Sequence, residues 1–520
     1  MKRREFILLT ATAAAAAAAG LQGCGAPAGG PDRPATARPT GGGAPGFANP
    51  LRIPPLLEPV VDGSGVKTFT LTAQRGRTEF LPGRPAPTWG FNGSYLGPTL
   101  RASRGDRVRL EVVNRLGEET TVHWHGMRVP ALMDGGPQRT IAPGATWTPH
   151  WTVDQPAATT WYHPHPHGYT VQHVYRGLAG MFLLDDPASR ALDLPRTYGV
   201  DDFPLIVQDK VLNDDGTLSE DGLDSSVFFL GNRTLVNGTL APHLEVGTRR
   251  VRLRILNASN ARLFHLGFAD GRAFQVVGAD AGLLPAPVRV DRISLSPAER
   301  AEIVVAFSPG ESVVMRGFGG RDEIDKGDFD LLEFIAAERL RPSPEVPARL
   351  ASTPPIEVPA GARVRRFRLD GDDAIGGRDY DMGRIDEVVP AGAREIWEVE
   401  ARDHAHNFHI HEVALRVLDI DGRQPPAWYQ SQKDTVFVPA KSTARLAVEF
   451  GRFTDPVTPY MFHCHILRHE DRGMMGQFVI VEPGTEDRVS RTLPTAPPHA
   501  ADPARAPGSR APRPHFVHGG

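Results

Sequence analysis

Four His-x-His pairs punctuate this chain, at His123/His125, His163/His165, His409/His411 and His463/His465. Residues two apart on a strand point to the same side, so each pair offers two imidazoles to one site. Ten of the 19 histidines fall into the clusters that hold these pairs, completed by His406 and His469. A lone histidine is ordinarily a satisfied surface or core residue, and His150, His243, His265, His499, His515 and His518 are read that way. His167 and His173 lie close to a pair, but no spacing assigns them a ligand role. Independent chance does not supply four pairs at one spacing. The fold must therefore bring segments from opposite ends of the chain to one place.

Eight neutral imidazoles suit copper, zinc or iron rather than magnesium or calcium, which prefer oxygen. The last cluster narrows the metal. In His463-Cys464-His465 the period of two sends a thiolate to one side and two imidazoles to the other. A thiolate with two histidines and a weak thioether is the ligand set of a blue copper site. Cys464, His406, His469 and Met474 would supply it, and His463 and His465 would join that site to a second one through the backbone.

The surrounding chain reads as all-β. Runs such as Val108-Arg109-Leu110-Glu111-Val112 and Val251-Arg252-Leu253-Arg254-Ile255 alternate apolar and polar residues between Gly, Pro and Asp clusters. A weak internal repeat runs through them. Asn92-Gly93 precedes Val108 and a closing Asn114; Asn237-Gly238 precedes Val251 and a closing Asn257; a fainter copy spans 392–399. Repeats of this kind suggest three sandwiches of similar size, at 51–195, 196–350 and 351–484.

Both ends of the chain differ in composition. Lys2-Arg3-Arg4 followed by an alanine-rich stretch reads as an export signal over 1–24, with paired arginines of the twin-arginine type. Leu21-Gln22-Gly23-Cys24 resembles a lipobox, which would place the protein in the periplasm or at the cell surface with a lipid on Cys24; a plain cleaved signal with an incidental cysteine is the competing reading. Residues 25–50 read as a flexible linker and 485–520 as a disordered tail. A net charge of -3 provides no electrostatic reason to expect nucleic acid.

His123-Trp124-His125-Gly126, Trp161-Tyr162-His163-Pro164-His165, His406-x-x-His409-x-His411 and His463-Cys464-His465-x-x-x-His469-x-x-x-x-Met474 together resemble the four copper motifs of multicopper oxidases, over about 55–485. The resemblance is to bacterial three-domain enzymes of the copper-tolerance and bilirubin-oxidase-like group. It implies three consecutive cupredoxin-like Greek-key sandwiches and four coppers. By position, His123 and His409 would hold the type 2 copper. His125, His163, His165, His411, His463 and His465 would hold the type 3 pair, and the Cys464 set the type 1. It further implies that electrons pass singly from a small reductant to dioxygen, with Cys464 as the relay; oligomeric state is not legible, though three domains sharing one cluster can work as a monomer.

Asp134 and Glu470 stand where similar enzymes place proton donors; hydrogen bonding to the ligand histidines is the alternative for both. The substrate stays open between Cu(I), Fe(II) and phenols. No methionine-rich insert is present, and Arg402-Asp403-His404-Ala405 stands where a metal-collecting Asp and Met would be expected. The acidic stretch from Asp370 to Asp386 reads as a solvated loop and opening strand, with metal attraction as the alternative. A nitrite reductase-like enzyme, a ligand-poor envelope scaffold and a copper store fit the motifs less well.

Overall fold

Alternating burial builds the strands of this protein. In Arg107–Arg115, Val108, Leu110, Val112 and Asn114 face inward while Arg107, Arg109 and Arg115 do not. The computed structural model describes residues 46–350 and 354–493. The expected export signal, Cys24 and most of the expected linker lie outside the described residues, as do 494–520. No helix among the described residues is long and apolar enough to cross a membrane.

Six sheets form three β-sandwiches in chain order, each a pair of packed sheets, and the all-β cupredoxin expectation holds. Each sandwich opens with a strand that pairs in parallel with a strand of the repeat. Lys67–Leu81 pairs with Arg107–Arg115, Asp202–Lys210 with Arg250–Asn257, and Val364–Asp370 with Arg394–Ala401.

The repeated asparagines do the same work twice. Asn114 Nδ2 donates to Glu118 and Ile141 carbonyls at 2.7 Å, and its Oδ1 accepts from Leu116 N. Asn257 Nδ2 donates to Arg262 and Leu295 carbonyls at 2.8 Å, and its Oδ1 accepts from Ser259 N. Asn92 and Asn237 both sit at positive φ, +57° and +50°, and tie the turn to the opening strand through Thr72 and Ile206 amides. Ala401 ends the third copy without such an amide, which is why that copy is faint in the sequence.

Two boundary expectations need correction. Asn49–Pro50, the end of the expected linker, is a strand paired with Pro242–His243. The expected tail begins as ordered chain: Glu486–Arg488 forms a 3-10 turn, and Val489 and Leu493 pack on Ile385, Val388, Val479 and Val481. A Pro- and Ala-rich composition averaged over the whole stretch concealed these two apolar anchors.

Buried charges tie the first and second sandwiches together. Arg254 makes paired bonds to Asp202 at 2.7 and 3.0 Å and reaches Glu302 and the Thr159 hydroxyl. Glu302 also takes Arg252 and the Thr159 hydroxyl. Burial opposes ionisation of Glu302, but Arg252 and Arg254 outweigh it and hold its pKa down to about 2. Because the folded value lies below the unfolded one, the ionised form stabilises the fold fully above pH ~4.5 and loses that contribution as pH falls toward 2. Glu302→Gln is expected to lower the thermal midpoint at pH 7, with the gap from wild type closing between pH 4.5 and 2. A gap independent of pH would show that the pairing contributes nothing through charge.

Candidate metal centre

The histidine pairs begin on hydrogen-bonded strands of two sheets; His123/His125 lies wholly within one, while His165, His411 and His465 fall just past a strand end. In the first sandwich His123–His125 pairs antiparallel with Ala158–His163, placing His163 opposite His123. In the third, His406–Ile410 pairs antiparallel with Tyr460–Cys464, placing His463 opposite His409 and Cys464 opposite Phe408. The two sheets meet face to face across their histidines. The His123 and His411 rings stack with centroids 3.8 Å apart, and those of His125 and His409 at 3.7 Å. His125, His163 and His465 lie mutually within 5.0–5.7 Å.

Seven of the eight rings are backed by a protein oxygen. One nitrogen of His123, His125, His163, His165, His409, His411 and His463 faces a protein oxygen at 2.7–3.2 Å. The opposite nitrogen of each points inward. The inner Nε2 atoms of His165 and His411 lie 3.2 and 3.3 Å from that of His463. His123 Nε2, His125 Nδ1, His163 Nε2, His409 Nε2 and both His465 nitrogens are buried without a hydrogen-bond partner among the described residues. Burial, aided by neighbouring imidazoles, pushes the pKa values of His125, His163, His409, His411 and His465 well below the usual range. Neutral rings with lone pairs turned toward one another are a cost unless a cation lies between them. The donor set therefore fits a soft-to-borderline metal cluster.

A second set lies beside the first. Cys464 Sγ is 3.4 Å from His406 Nδ1 and 3.6 Å from His469 Nδ1, and the two nitrogens are 3.2 Å apart. Burial pushes the Cys464 thiol up to about 12, so only a bound cation would make it a thiolate at neutral pH. Met474 is buried on the same segment, its carbonyl accepting from Cys464 N and its amide donating to His469 O. The outer nitrogen of His469 faces the Val227 carbonyl at 3.0 Å, and the Phe228 ring lies 5.7 Å away.

Both expected carboxylates back onto ligand-facing histidines. Asp134 Oδ2 accepts from His411 Nδ1 at 2.7 Å, and its carbonyl accepts from His123. The Glu470 oxygens lie 3.2 Å from His165 Nδ1 and 3.3 Å from His463 Nδ1. Burial raises the Glu470 pKa, but these two rings outweigh it and bring it below the usual range. Of the acidic stretch, Asp372 takes Arg468 and Arg472 from the segment that carries His469, and Asp386 takes Arg384. His173 is engaged by Thr120 and Glu118, and exposed His167 packs on Tyr380.

Three contributors escaped the sequence reading. Asp434 Oδ1 lies 3.0 Å from His125 Nε2, while its carbonyl accepts from His409 Nδ1. Arg300 binds Asp434 from the second sandwich, and Val227 covers His469 from the same sandwich. None lies near a histidine in sequence, and no spacing signal marks them.

Comparison with known proteins agrees with this geometry. Sequence profiles described as multicopper oxidase match residues 72–189 and 352–484. The chain is 40% identical to the cell division protein FtsP of Salmonella typhimurium, over 84% of this chain and 94% of that one. It is 35% identical to the multicopper oxidase Mco of Staphylococcus aureus, over 84% and 93%. A laccase structure from Pediococcus acidilactici superposes with a TM-score of 0.78 at 37% identity, covering 84% of this chain and 95% of that one.

Replacing Asp134 by Ala removes the acceptor behind His411. Copper is then expected to be held roughly 10- to 100-fold more weakly, measured as copper retained after dialysis against graded chelator. Unchanged retention would show that His411 is oriented without it.

Proposed function

This chain belongs to the multicopper oxidase family, and from that premise we propose that it couples one-electron oxidation of a small reductant to reduction of dioxygen to water. The observation that carries this reading is the inward convergence of eight histidines beside a buried Cys-His-His set, with the two sets sharing Cys464's immediate neighbours. His406, Cys464, His469 and Met474 would hold a type 1 copper. His123 and His409 would hold a type 2, and His125, His163, His165, His411, His463 and His465 a type 3 pair. Copper so bound supplies one-electron redox chemistry at the mononuclear site and four-electron delivery to dioxygen at the cluster.

The residues themselves do the rest. Cys464 is bonded through the backbone to His463 and His465, so the chain provides a short covalent connection between the two donor sets. Val227 and Phe228 cover the outer edge of His469 and keep bulk water from the thiol side. Asp134 and Glu470 lie against ring nitrogens behind the cluster, where they can deliver protons to it. Replacing both, as Asp134→Asn with Glu470→Gln, is expected to slow turnover by about 100-fold or more while copper content stays intact.

A phenol-type reductant is favoured over a metal ion. Asp370, Asp372 and Asp386 of the acidic stretch already carry arginine partners, which reduces the charge the stretch offers a cation and leaves it to the exposed Asp373, Asp379 and Asp381. Copper tolerance through Cu(I) oxidation is the second reading. Export to the periplasm or cell surface, with a lipid on Cys24, follows from the N-terminal pattern, and action as a monomer follows from a cluster contained within one chain.

Oxygen uptake by the copper-loaded protein, offered a methoxyphenol, Cu(I) and Fe(II) in turn, tests these readings. Fast uptake with the phenol is expected, and Cys464→Ser is expected to remove both the blue absorption and the uptake. Uptake with metal ions alone would move Cu(I) or Fe(II) into first place. A chain that takes up no copper would favour a role of the kind that the relative's name, cell division protein, carries.

A further inference from the structure

We propose that Arg300, a residue of the sandwich that supplies no histidine to the cluster, is the positioning residue that sets the cluster's geometry through Asp434; the inference rests on the copper reading above. A guanidinium has five N–H donors, and each of those of Arg300 is used. Nε donates to Thr159 O of the first sandwich at 2.9 Å. One donor each goes to the Ala298 and Asp280 carbonyls of the second, at 3.0 and 2.9 Å. The remaining two form a parallel pair with Asp434 of the third, at 2.7 and 2.6 Å. Arg300 and Asp434 are both buried, at 0% and 1% exposure.

Asp434 passes that placement on. Its Oδ1 lies 3.0 Å from His125 Nε2 and accepts from the Thr435 hydroxyl, and its carbonyl accepts from His409 Nδ1. One side chain of the second sandwich thus orients one histidine from the first and one from the third. The preceding residue is held in the same way: Lys433 Nζ lies 2.8 Å from Asp280 and 3.2 Å from Glu299, both from the second sandwich.

An independent observation comes from the glycine of the His123-Trp124-His125-Gly126 motif. A Cβ on Gly126 would lie 2.7 Å from Arg300 Nη2 and 2.8 Å from Asp434 Oδ2, at a φ of +85°. The motif's small residue is required where the ion pair packs against the His125 strand. Orientation from behind fixes which nitrogen of a ligand imidazole carries the proton and raises its basicity, so the pair acts on both rings.

A purely structural role as interdomain glue makes a different prediction, and Arg254 provides the comparison. It is also buried, reaches Thr159 and joins the first and second sandwiches, but its carboxylate partners Asp202 and Glu302, unlike Asp434, contact no histidine. The holoprotein of full-length chain would be prepared as wild type, Arg300→Lys, Arg254→Lys, Asp434→Asn and the Arg300→Lys/Asp434→Asn double variant. Copper per chain after graded chelator, the type 2 electron paramagnetic resonance signal and the Cys464 blue absorption would be read together.

The expected result is a roughly 10- to 100-fold weaker hold on cluster copper in Arg300→Lys, with an altered type 2 signal and the blue absorption retained. Arg254→Lys should lose thermal stability but keep its copper, and the double variant should be no worse than Asp434→Asn. Wild-type retention in Arg300→Lys, or equal copper loss in Arg254→Lys, would overturn the inference. If Arg300→Lys does not fold, Asp434→Asn decides alone: unchanged copper and signal overturn the inference, and selective cluster loss supports it. A wild-type chain that takes up no copper removes the parent reading instead.

Discussion

Eight buried imidazoles with ring nitrogens turned toward one another are an arrangement that a protein does not adopt without compensation. Here compensation comes from outside the ring of histidines, where carbonyl and carboxylate oxygens hold nearly every outward nitrogen. Those bonds fix the tautomer of the imidazoles they reach and leave the inner nitrogen free to bind a metal. The rest of the fold serves this orientation: two sheets face one another because their histidines must, and a third body braces them from the side.

That third body is the second sandwich, which has no histidine in the cluster and still touches both donor sets. Arg300 reaches Asp434 behind the cluster, and Val227 caps His469 beside the thiol. Asn260 accepts the Leu467 amide with its carbonyl and offers its side-chain amide to Val171, so it spans the two ligand-bearing sandwiches at their junction. A sandwich without ligands is thus coupled to the site through buried polar bonds, and breaking one partner of such a pair leaves an uncompensated group in the interior.

The short helix Leu467–Arg472 concentrates three tasks in three consecutive residues. Successive side chains on a helix point about 100° apart. His469 faces Cys464, Glu470 faces His165 and His463, and Asp471 accepts the Thr170 and Val171 amides at 2.9 and 2.8 Å. One turn of helix therefore joins the thiol site, the histidine cluster and the helix that follows the His163/His165 segment. Substitutions in this turn would disturb all three at once, which separates it from Arg300, whose influence passes through a single carboxylate.

Local pattern determined a great deal. Period-two spacing brought both rings of each histidine pair to one site, although His165, His411 and His465 fall just past a strand end, and Cys464 was turned away from His463 and His465. Alternating burial and repeated asparagines gave the strand class and the recurrence of one sandwich, because Asn114 and Asn257 satisfy strand-end carbonyls within a few residues of themselves. Tertiary structure alone decided what stands behind the rings. Asp434 and Arg300 meet across 134 positions of chain, and His125 meets Asp434 across 309. Such partners carry no period or motif, since their chemistry is common to any buried ion pair and only the packing of three sandwiches puts it at this place. The ordered stretch at 485–493 followed the same rule, being held by two apolar contacts to a distant strand rather than by its own composition.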